Sequence, residues 1–588
     1  MRFVLAIVSF VVAALLIGLG IAQKTILAAP DEVTAATSIT TDAPVTVISG
    51  EALNANPRSQ FVQLSDSDGN FAAYGRTTDV LAWVGEASYN DVTYDAETAG
   101  LTSTLVEGTE DEVPTPVDSD LWLASYSNTS SFTVNVPDDI SLLVVTDGVQ
   151  PAPAEISVTW PVDNTTPWAN TFVVAGGVLL LVGLLLLFWA IAHIRKGRGP
   201  RRKSQKMPKL PRQPRYKPIK AKPKELEANA KGRRSARIAI IPALLITGLA
   251  LSGCSVDFWA GRQTVTEPSA TADPLADAED AEQFSPPAVT EEQAKRIVAD
   301  LSEVTAAADA ALDIELAGTR LAGPALEART FNYTARTADA AVAAIPAIPS
   351  GPIEVTLPQQ SDGWPRAVFA VISDSGTDAN GLALAPVAVT LIQDDPRSNY
   401  KAQYVMRLQP GVVTPDVAPA SVGATRFRSD SPLLTIAPGE IAADYADVLL
   451  SADASASYPL FDNATDTVQE SYGVPFKLRE RGALETTSTL DWTATPATGP
   501  VVALSTNDSG AIVSVNLNEI TTAKVVEAGA TVEPTGATKA VVGKANSTKG
   551  FAVTYGFQLL FFVPSVEQGG TITLLGYAQN PIAASELP

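Results

Sequence analysis

Three apolar stretches free of charge divide the chain, at Phe3 to Ala22, Phe172 to Ile194 and Ile238 to Cys254. The first two hold about 20 and 23 residues, enough to cross the roughly 30 Å hydrocarbon core as helices. The third, with about 17, is marginal as a span. Trp168 and Trp189 sit where interfacial aromatics belong around the second stretch. The first exceeds the 7 to 15 apolar residues typical of a secretory signal and predicts an uncleaved anchor, although Gly20 and Ala22 also offer a cleavage site after Ala22.

Between these stretches the pattern changes to short alternating runs. Phe132 to Val136 and Ile156 to Trp160 alternate with period two, and Ser141 to Thr146 is a near-continuous apolar strand closed by Asp147-Gly148. Val45 to Ile48, Phe61 to Leu64, Phe71 to Tyr74 and Leu81 to Ala87 are further strand candidates. Residues 30–166 therefore read as an all-β, antiparallel sandwich. Trp83, Tyr89, Tyr94, Trp122 and Tyr126 could stack carbohydrate on such a sandwich, but the composition of ordinary cores places them inside it. The Asp66-Ser67-Asp68-Gly69-Asn70 run lacks the distal Glu of a calcium loop and reads as a turn.

Past the third stretch, residues 255–289 form a flexible acidic linker, of which residues 261–289, about 28 residues of coil, would reach some 30 Å. Thr290 and Gln293 then make a capping box, and Ala294, Ile297, Val298, Leu301, Val304, Ala308 and Leu312 give one apolar helix face. More helix is expected around Ala325 to Tyr333, then strands at Ile353 to Leu357, Ala367 to Ser373, Val387 to Gln393 and Ala402 to Leu408. Asp394 to Asn399 reads as the hairpin loop joining the last two. The order recurs with helices at Ile441 to Leu450 and Thr467 to Leu478 and strands at Val501 to Ser505, Ala511 to Leu517, Phe551 to Phe562 and Thr571 to Tyr577. Two α+β units in tandem, 290–430 and 431–588, follow.

Charge orients this layout. Arg195 to Arg237 holds 18 of the 41 Lys and Arg residues against two acids, Glu225 and Glu227, a local +16 (18 minus 2) that leaves −39 of the net −23 elsewhere. A basic segment between apolar stretches stays cytoplasmic. The expected order is an anchor or signal at 1–24, an extracytoplasmic sandwich at 30–166, a membrane helix at 169–194, a cytoplasmic loop at 195–237, and a further segment at 238–254. Residues 30–168 carry 22 acids against Arg58 and Arg76 alone, as translocated sequence does. The basic loop holds one aromatic, Tyr216, and prolines at 208, 211, 214, 218 and 223, a poor basis for nucleic-acid binding. It suits contact with anionic lipid headgroups, with Arg201, Arg202 and Lys203 as the candidate cluster.

Gly232-Arg233-Arg234-Ser235-Ala236-Arg237, the apolar run Ile238 to Ala250 and Leu251-Ser252-Gly253-Cys254 together resemble a bacterial lipoprotein signal ending in a lipobox, which implies a diacylglyceryl group on Cys254. Its internal position departs from the pattern. Either 238–254 stays as a third span, or cleavage before Cys254 yields a lipid-anchored product; two acyl chains would hold it at the bilayer. Each α+β unit resembles, in element order, the cone-shaped fold of nuclear-transport-factor-two-like domains, which implies a pocket between sheet and helices. With Gly363-Trp364-Pro365-Arg366, Tyr400-Lys401-Ala402 and the closing strands from Phe551 to Tyr577, residues 254–588 resemble a family of uncharacterised actinobacterial envelope lipoproteins. That resemblance implies surface exposure and an anchor, and assigns no activity.

The available chemistry is narrow. The single His193 closes the second apolar stretch and the single Cys is Cys254, so Ser-His-Asp and Cys-His catalysis and His- or Cys-based zinc sites have no residues in the exposed regions. No disulfide can form within the chain. Nucleotide-binding glycine motifs are missing, and no cofactor is implied. Carboxylate chemistry of the glycosidase kind remains, with Asp444, Asp447, Asp462 and Glu480 as examples on a net-acidic surface. The expected function is a non-enzymatic, membrane-anchored envelope protein that scaffolds or binds an envelope partner; a module for cell-wall glycan or lipid and a carboxylate-dependent glycoside hydrolase are the alternatives.

Overall fold

A computed structural model describes residues 2–27, 30–65, 69–162, 167–196, 285–377 and 381–588. The segment 238–254 with Cys254 and its flank Leu251, Ser252 and Gly253 lies outside the described residues, as do Arg201, Arg202 and Lys203 and the turn residues Asp66 to Asp68. The chain divides into two units, Met1–Ile21 with Trp168–Gln283, and Ala22–Pro167 with Phe284–Pro588.

In the first unit, helices α1 (Arg2–Thr25) and α4 (Pro167–Lys196) are long and apolar enough to cross a membrane. They pack along a seam of small residues. Ala6, Ala13 and Gly20 on α1 and Ala169, Gly176, Gly183 and Ala190 on α4 are buried, each seven residues from the next. A seven-residue repeat keeps one stripe of a helix facing its partner. Here the stripe is small enough for close backbone approach: a Cβ on Gly20 would meet Val173 at 2.7 Å, and one on Gly176 the Ala13 carbonyl at 3.0 Å. Gly183 lies against Ser9 and Phe10, which fixes the pair as antiparallel. Leu15, Leu185 and Phe188 stay exposed around the outside of the pair among the described residues.

In the second unit, residues 30–162 form two sheets. One runs in the order β1 (Glu32–Ser38), β10 (Glu155–Pro161), β3 (Gln60–Leu64), β8 (Ser131–Val134). The other runs β6 (Gly100–Val106), β5 (Tyr89–Asp95), β2 (Val45–Ile48), β9 (Ile140–Val145), β4 (Phe71–Arg76), β7 (Ala124–Ser127). Alternate positions of both, among them Val62, Phe132, Val158, Trp160, Val92, Leu142 and Val144, meet in one core between them. The region departs from a purely antiparallel, all-β sandwich in three ways, one of them the short helix α2 (Gly50–Leu53). β2 and β5 pair in parallel, and the expected strand Leu81 to Ala87 is helix α3 (Thr77–Val84) instead. Its buried residues Asp79, Val80, Trp83 and Val84 recur at three- and four-residue spacing and cover the second face of the six-stranded sheet.

In 285–588 the capping box at Thr290 starts helix α5 (Glu291–Ala311) as predicted, with the Thr290 hydroxyl accepting from the Gln293 amide and Gln293 accepting from the Thr290 N–H. Helices α6 (Ile314–Arg320) and α7 (Gly323–Ala338) follow. The four expected strands are present as β11 (Ile353–Pro358), β12 (Arg366–Ile372), β13 (Val387–Gln393) and β14 (Lys401–Leu408). The second half supplies α8 (Ile441–Ser451), α9 (Thr467–Tyr472), α10 (Val474–Ala483) and strands β15 (Arg426–Phe427) to β20 (Thr573–Glu586). The single helix expected from Thr467 to Leu478 is split at Gly473, where any side chain would strike the Gln469 carbonyl and Pro475 follows.

The two halves share one sheet: β14 pairs with β20, joining β11 through β14 to β19 (Gly550–Val563), β18 (Ala511–Val525) and β17 (Val502–Ser505) without a break. Odd positions of β18 and β19, from Val513 to Leu517 and from Phe557 to Val563, pack on α8 and α9. Val368, Ala370, Val389 and Leu391 pack on α5 and α7. The opposite faces of the two half-sheets meet at Phe369, Tyr404, Met406, Ile512 and Leu560. The sheet thus folds back on itself, with one helix layer outside each half.

The helix seam predicts a cross-link. In a Cys254→Ser background, Ala13→Cys with Gly176→Cys should form a disulfide in membranes, whereas Ala13→Cys with Val178→Cys, exposed on the far side of α4, should not; gel mobility with and without reductant checks this.

Candidate functional site

Residues far apart in the sequence converge at two places in the second unit. The first is where 285–400 meets 76–123. Asp79, in the first turn of α3, accepts from Arg76 at 2.9 Å and from Arg366 at 2.7 Å; both Asp79 and Arg366 are buried. Asp120 takes the buried Arg320 and the Tyr400 N–H, and its own N–H donates to Asn399 at 2.9 Å. Arg397 reaches the end of α3, donating to the Trp83 and Val84 carbonyls at 2.8 Å each and to Glu110 at 2.8 Å. The last carbonyls of a helix lack internal partners and carry its negative dipole end, so an arginine there is doubly favoured. Gln293, the capping-box residue, also donates to the Leu121 carbonyl, and Arg296 donates to those of Trp122 and Leu123. Trp364 packs against the cluster of Trp83 and Trp122 while the Arg366 guanidinium lies 3.8 Å from its ring centre.

Most of the carboxylates come from the acidic early segment and most of the arginines from the later one; Arg76 runs the other way, donating to the Pro287 carbonyl and lying 3.9 Å from Asp362. Burial pushes the Asp120 carboxyl up despite the opposing pull of Arg320. Desolvation is the larger cost there, and the hydrogen bonds of this interface fix one arrangement more than they add net stability. Sequence reasoning singled out Gly363 to Arg366, the 394–399 loop and Tyr400 without seeing that they face a common partner, because Arg366 and Asp79 stand 287 residues apart.

The second place is the outer end of the second half-sheet. Beyond Leu517 the core-facing positions of β18 continue as Glu519 and Thr521, opposite Tyr555 on β19 and Ala494 and Trp492 on β16 (Ser488–Pro496). Glu519, Thr521, Tyr555 and Trp492, with Tyr472, Phe476, Glu480, Leu490 and Gln579, line a pocket of about 320 Å³. Its four aromatic rings are each half-buried. Glu519 is buried and ion-paired with buried Lys477, which also donates to the carbonyls of Tyr472 at 2.7 Å and Leu449 at 3.2 Å. Burial pushes the Glu519 carboxyl up and the Lys477 ammonium down, each against the pull of the other's charge. Burial likewise raises the Tyr472 and Tyr555 hydroxyls.

The predicted site residues distribute differently. Glu480 lines the pocket, while Asp447 is exposed and accepts from Ser451, and Asp462 accepts from Ala464 and Thr465 as a turn cap. Trp83 and Trp122 are core residues in edge contact at 5.5 Å, and Tyr94 and Tyr126 pack on Trp160 and Phe132. Glu519, Trp492 and Tyr555 were not anticipated, since β16 and the polar ends of β18 and β19 carry no motif. No group of His, Cys, Asp and Glu residues set to hold a metal occurs among the described residues.

Fold and site define an α+β domain with an aromatic pocket, docked on a β-rich segment. The chain belongs to the family described as a domain of unknown function, DUF8094, which matches residues 285–586. No curated protein matches the chain, and no solved structure does.

Arg366→Ala leaves Asp79 buried beside Arg76 alone and should destabilise the protein by about 3–5 kcal/mol, whereas Arg366→Met with Asp79→Leu should cost markedly less. Denaturant unfolding of the two variants checks the difference.

Proposed function

We propose that this is a non-enzymatic, multi-pass membrane protein of the cell envelope whose segments 22–167 and 284–588 lie together outside the membrane and bind an envelope partner. The observation that carries this is the buried interface between the segments. If α4 takes the chain inward, segments that dock on each other require the chain to return before residue 285. The apolar stretch 238–254 is the candidate for that return, either as a third span or as the export signal of a part anchored by lipid at Cys254, in the manner of the actinobacterial lipoproteins it resembles. The basic residues of 195–237, Arg201, Arg202 and Lys203 among them, then sit against the anionic inner leaflet. The heptad seam between α1 and α4 favours α1 as a retained anchor over a cleaved signal.

Within the outer body, the helices laid over β16, β18 and β19 with a pocket at the open end support the cone-like reading of the second half. Binding fits the pocket better than hydrolysis. Paired-carboxylate hydrolysis needs one free base or nucleophile and one acid, and Glu519 is committed to Lys477.

Thiol labelling of intact cells tests the topology. In a Cys254→Ser background, Glu97→Cys and Glu567→Cys, both exposed, should react with an impermeant reagent, and Lys203→Cys only after permeabilisation. Labelling at one of the two outer positions alone would contradict the proposal.

A further inference from the structure

We infer that the pocket lined by Tyr472, Phe476, Trp492 and Tyr555 binds a ring of a neutral saccharide. The site is built by the curvature of the second half-sheet. Leu517 and Phe557 end the apolar core, and the next residues on the same face, Glu519, Thr521 and Tyr555, are polar or amphipathic while the strands remain paired. The pairing continues through Lys524 and Gly550, so this end of the sheet is built firmly although the main apolar cluster of the second half stops at Leu517 and Phe557. Four aromatic rings left half-exposed around about 320 Å³ form a surface that only an amphipathic occupant suits. The volume lies at the low end of the roughly 300–1,000 Å³ range of small-molecule sites.

Charge chooses between the two ligand classes that aromatic walls suit. An aromatic cage for a quaternary ammonium group needs open ring faces and uncompensated negative charge. Here positive charge already stands beside two of the four rings and would repel a cation: Arg479 lies 5.3 Å from the Phe476 ring centre and Arg481 5.2 Å from that of Trp492. The two acids are also matched, Glu519 by Lys477 and Glu480 by Arg479 at 3.8 Å. A cation gains nothing from such a site. A pyranose offers apolar C–H faces to the rings and hydroxyls to the Glu480 carboxylate, the Thr521 hydroxyl and the Gln579 amide, and it carries no charge to be desolvated. The apolar rings on a polar-edged floor match that pattern. This reading rests on the proposal of a binding body for the partner's class, and not on the membrane topology.

The test is calorimetric titration of the full chain in detergent with neutral trisaccharides of glucose, mannose, arabinose and N-acetylglucosamine, and with tetramethylammonium. At least one saccharide should bind saturably with a Kd of about 1 mM or below, and Trp492→Ala should weaken it about tenfold or more with the circular dichroism spectrum unchanged. If that variant misfolds, Thr521→Val with Gln579→Leu, which removes edge groups only, should give the same loss. Failure of every saccharide to saturate by ~10 mM, unchanged affinity in the folded variant, or tighter binding of tetramethylammonium would each overturn the inference. Cleavage of a bound saccharide during the titration, seen by chromatography, would keep the site and refute the non-enzymatic reading.

Discussion

The contact between the arginines of residues 296–397 and the carboxylates and carbonyls of residues 79–123 is the constraint on which the rest of this protein depends. Arg366 on Asp79, Arg320 on Asp120 and Arg397 on the end of α3 are made by groups that each lose water in the contact. Such pairs gain little net energy over apolar contact, yet removing one partner strands a buried charge. They therefore act mainly to specify one docking geometry. An early segment with 22 acids and two bases supplies the complementary field for encounter. The consequence reaches beyond the interface, since segments joined in this way must share one side of any membrane that the chain crosses.

Local signals in the sequence carried most of the element boundaries. Thr290 and Gln293 announced a helix because a capping box is complete within four residues. The strands at 387–393 and 401–408 stood out because their apolar runs are bounded by the Asp-Pro-Arg-Ser-Asn loop. The region around Leu81 reads as a strand in one dimension because an apolar run of that length suits strand or helix alike, and the spacing of Asp79, Val80, Trp83 and Val84 becomes helical only with a start at Thr77. Strand lengths failed where chemistry changed. β18 was expected to stop at Leu517 because Asn518, Glu519, Thr521, Thr522 and Lys524 break the apolar pattern, yet β16 and β19 pair with it to Val525 and Lys524.

That failure has the same cause as the pocket's invisibility. A polar extension of a paired strand resembles a loop in one dimension, and its partners Trp492 and Tyr555 lie on other strands. Glu480 was named among several acids on a crowded acidic surface, and nothing local set it apart from Asp447 or Asp462. The interface was equally hidden, although Trp364, Arg366 and Tyr400 had drawn notice. Ion pairing across 287 residues, as between Arg366 and Asp79, leaves no spacing to recognise. The merging of two α+β halves into one sheet also depends on the two-residue pairing of Arg407 and Leu408 with Tyr577 and Gly576, a link no repeat could reveal.

The most direct measurement is release of the C-terminal body from membranes after the connection is cut. With a protease site placed among residues 261–284, cleavage severs the covalent tie between residues 285–588 and every apolar stretch. The interface predicts that the cut fragment still sediments with membranes, and that Arg366→Ala with Arg320→Ala frees it. Appearance of the unmutated fragment in the supernatant on cutting would contradict the account.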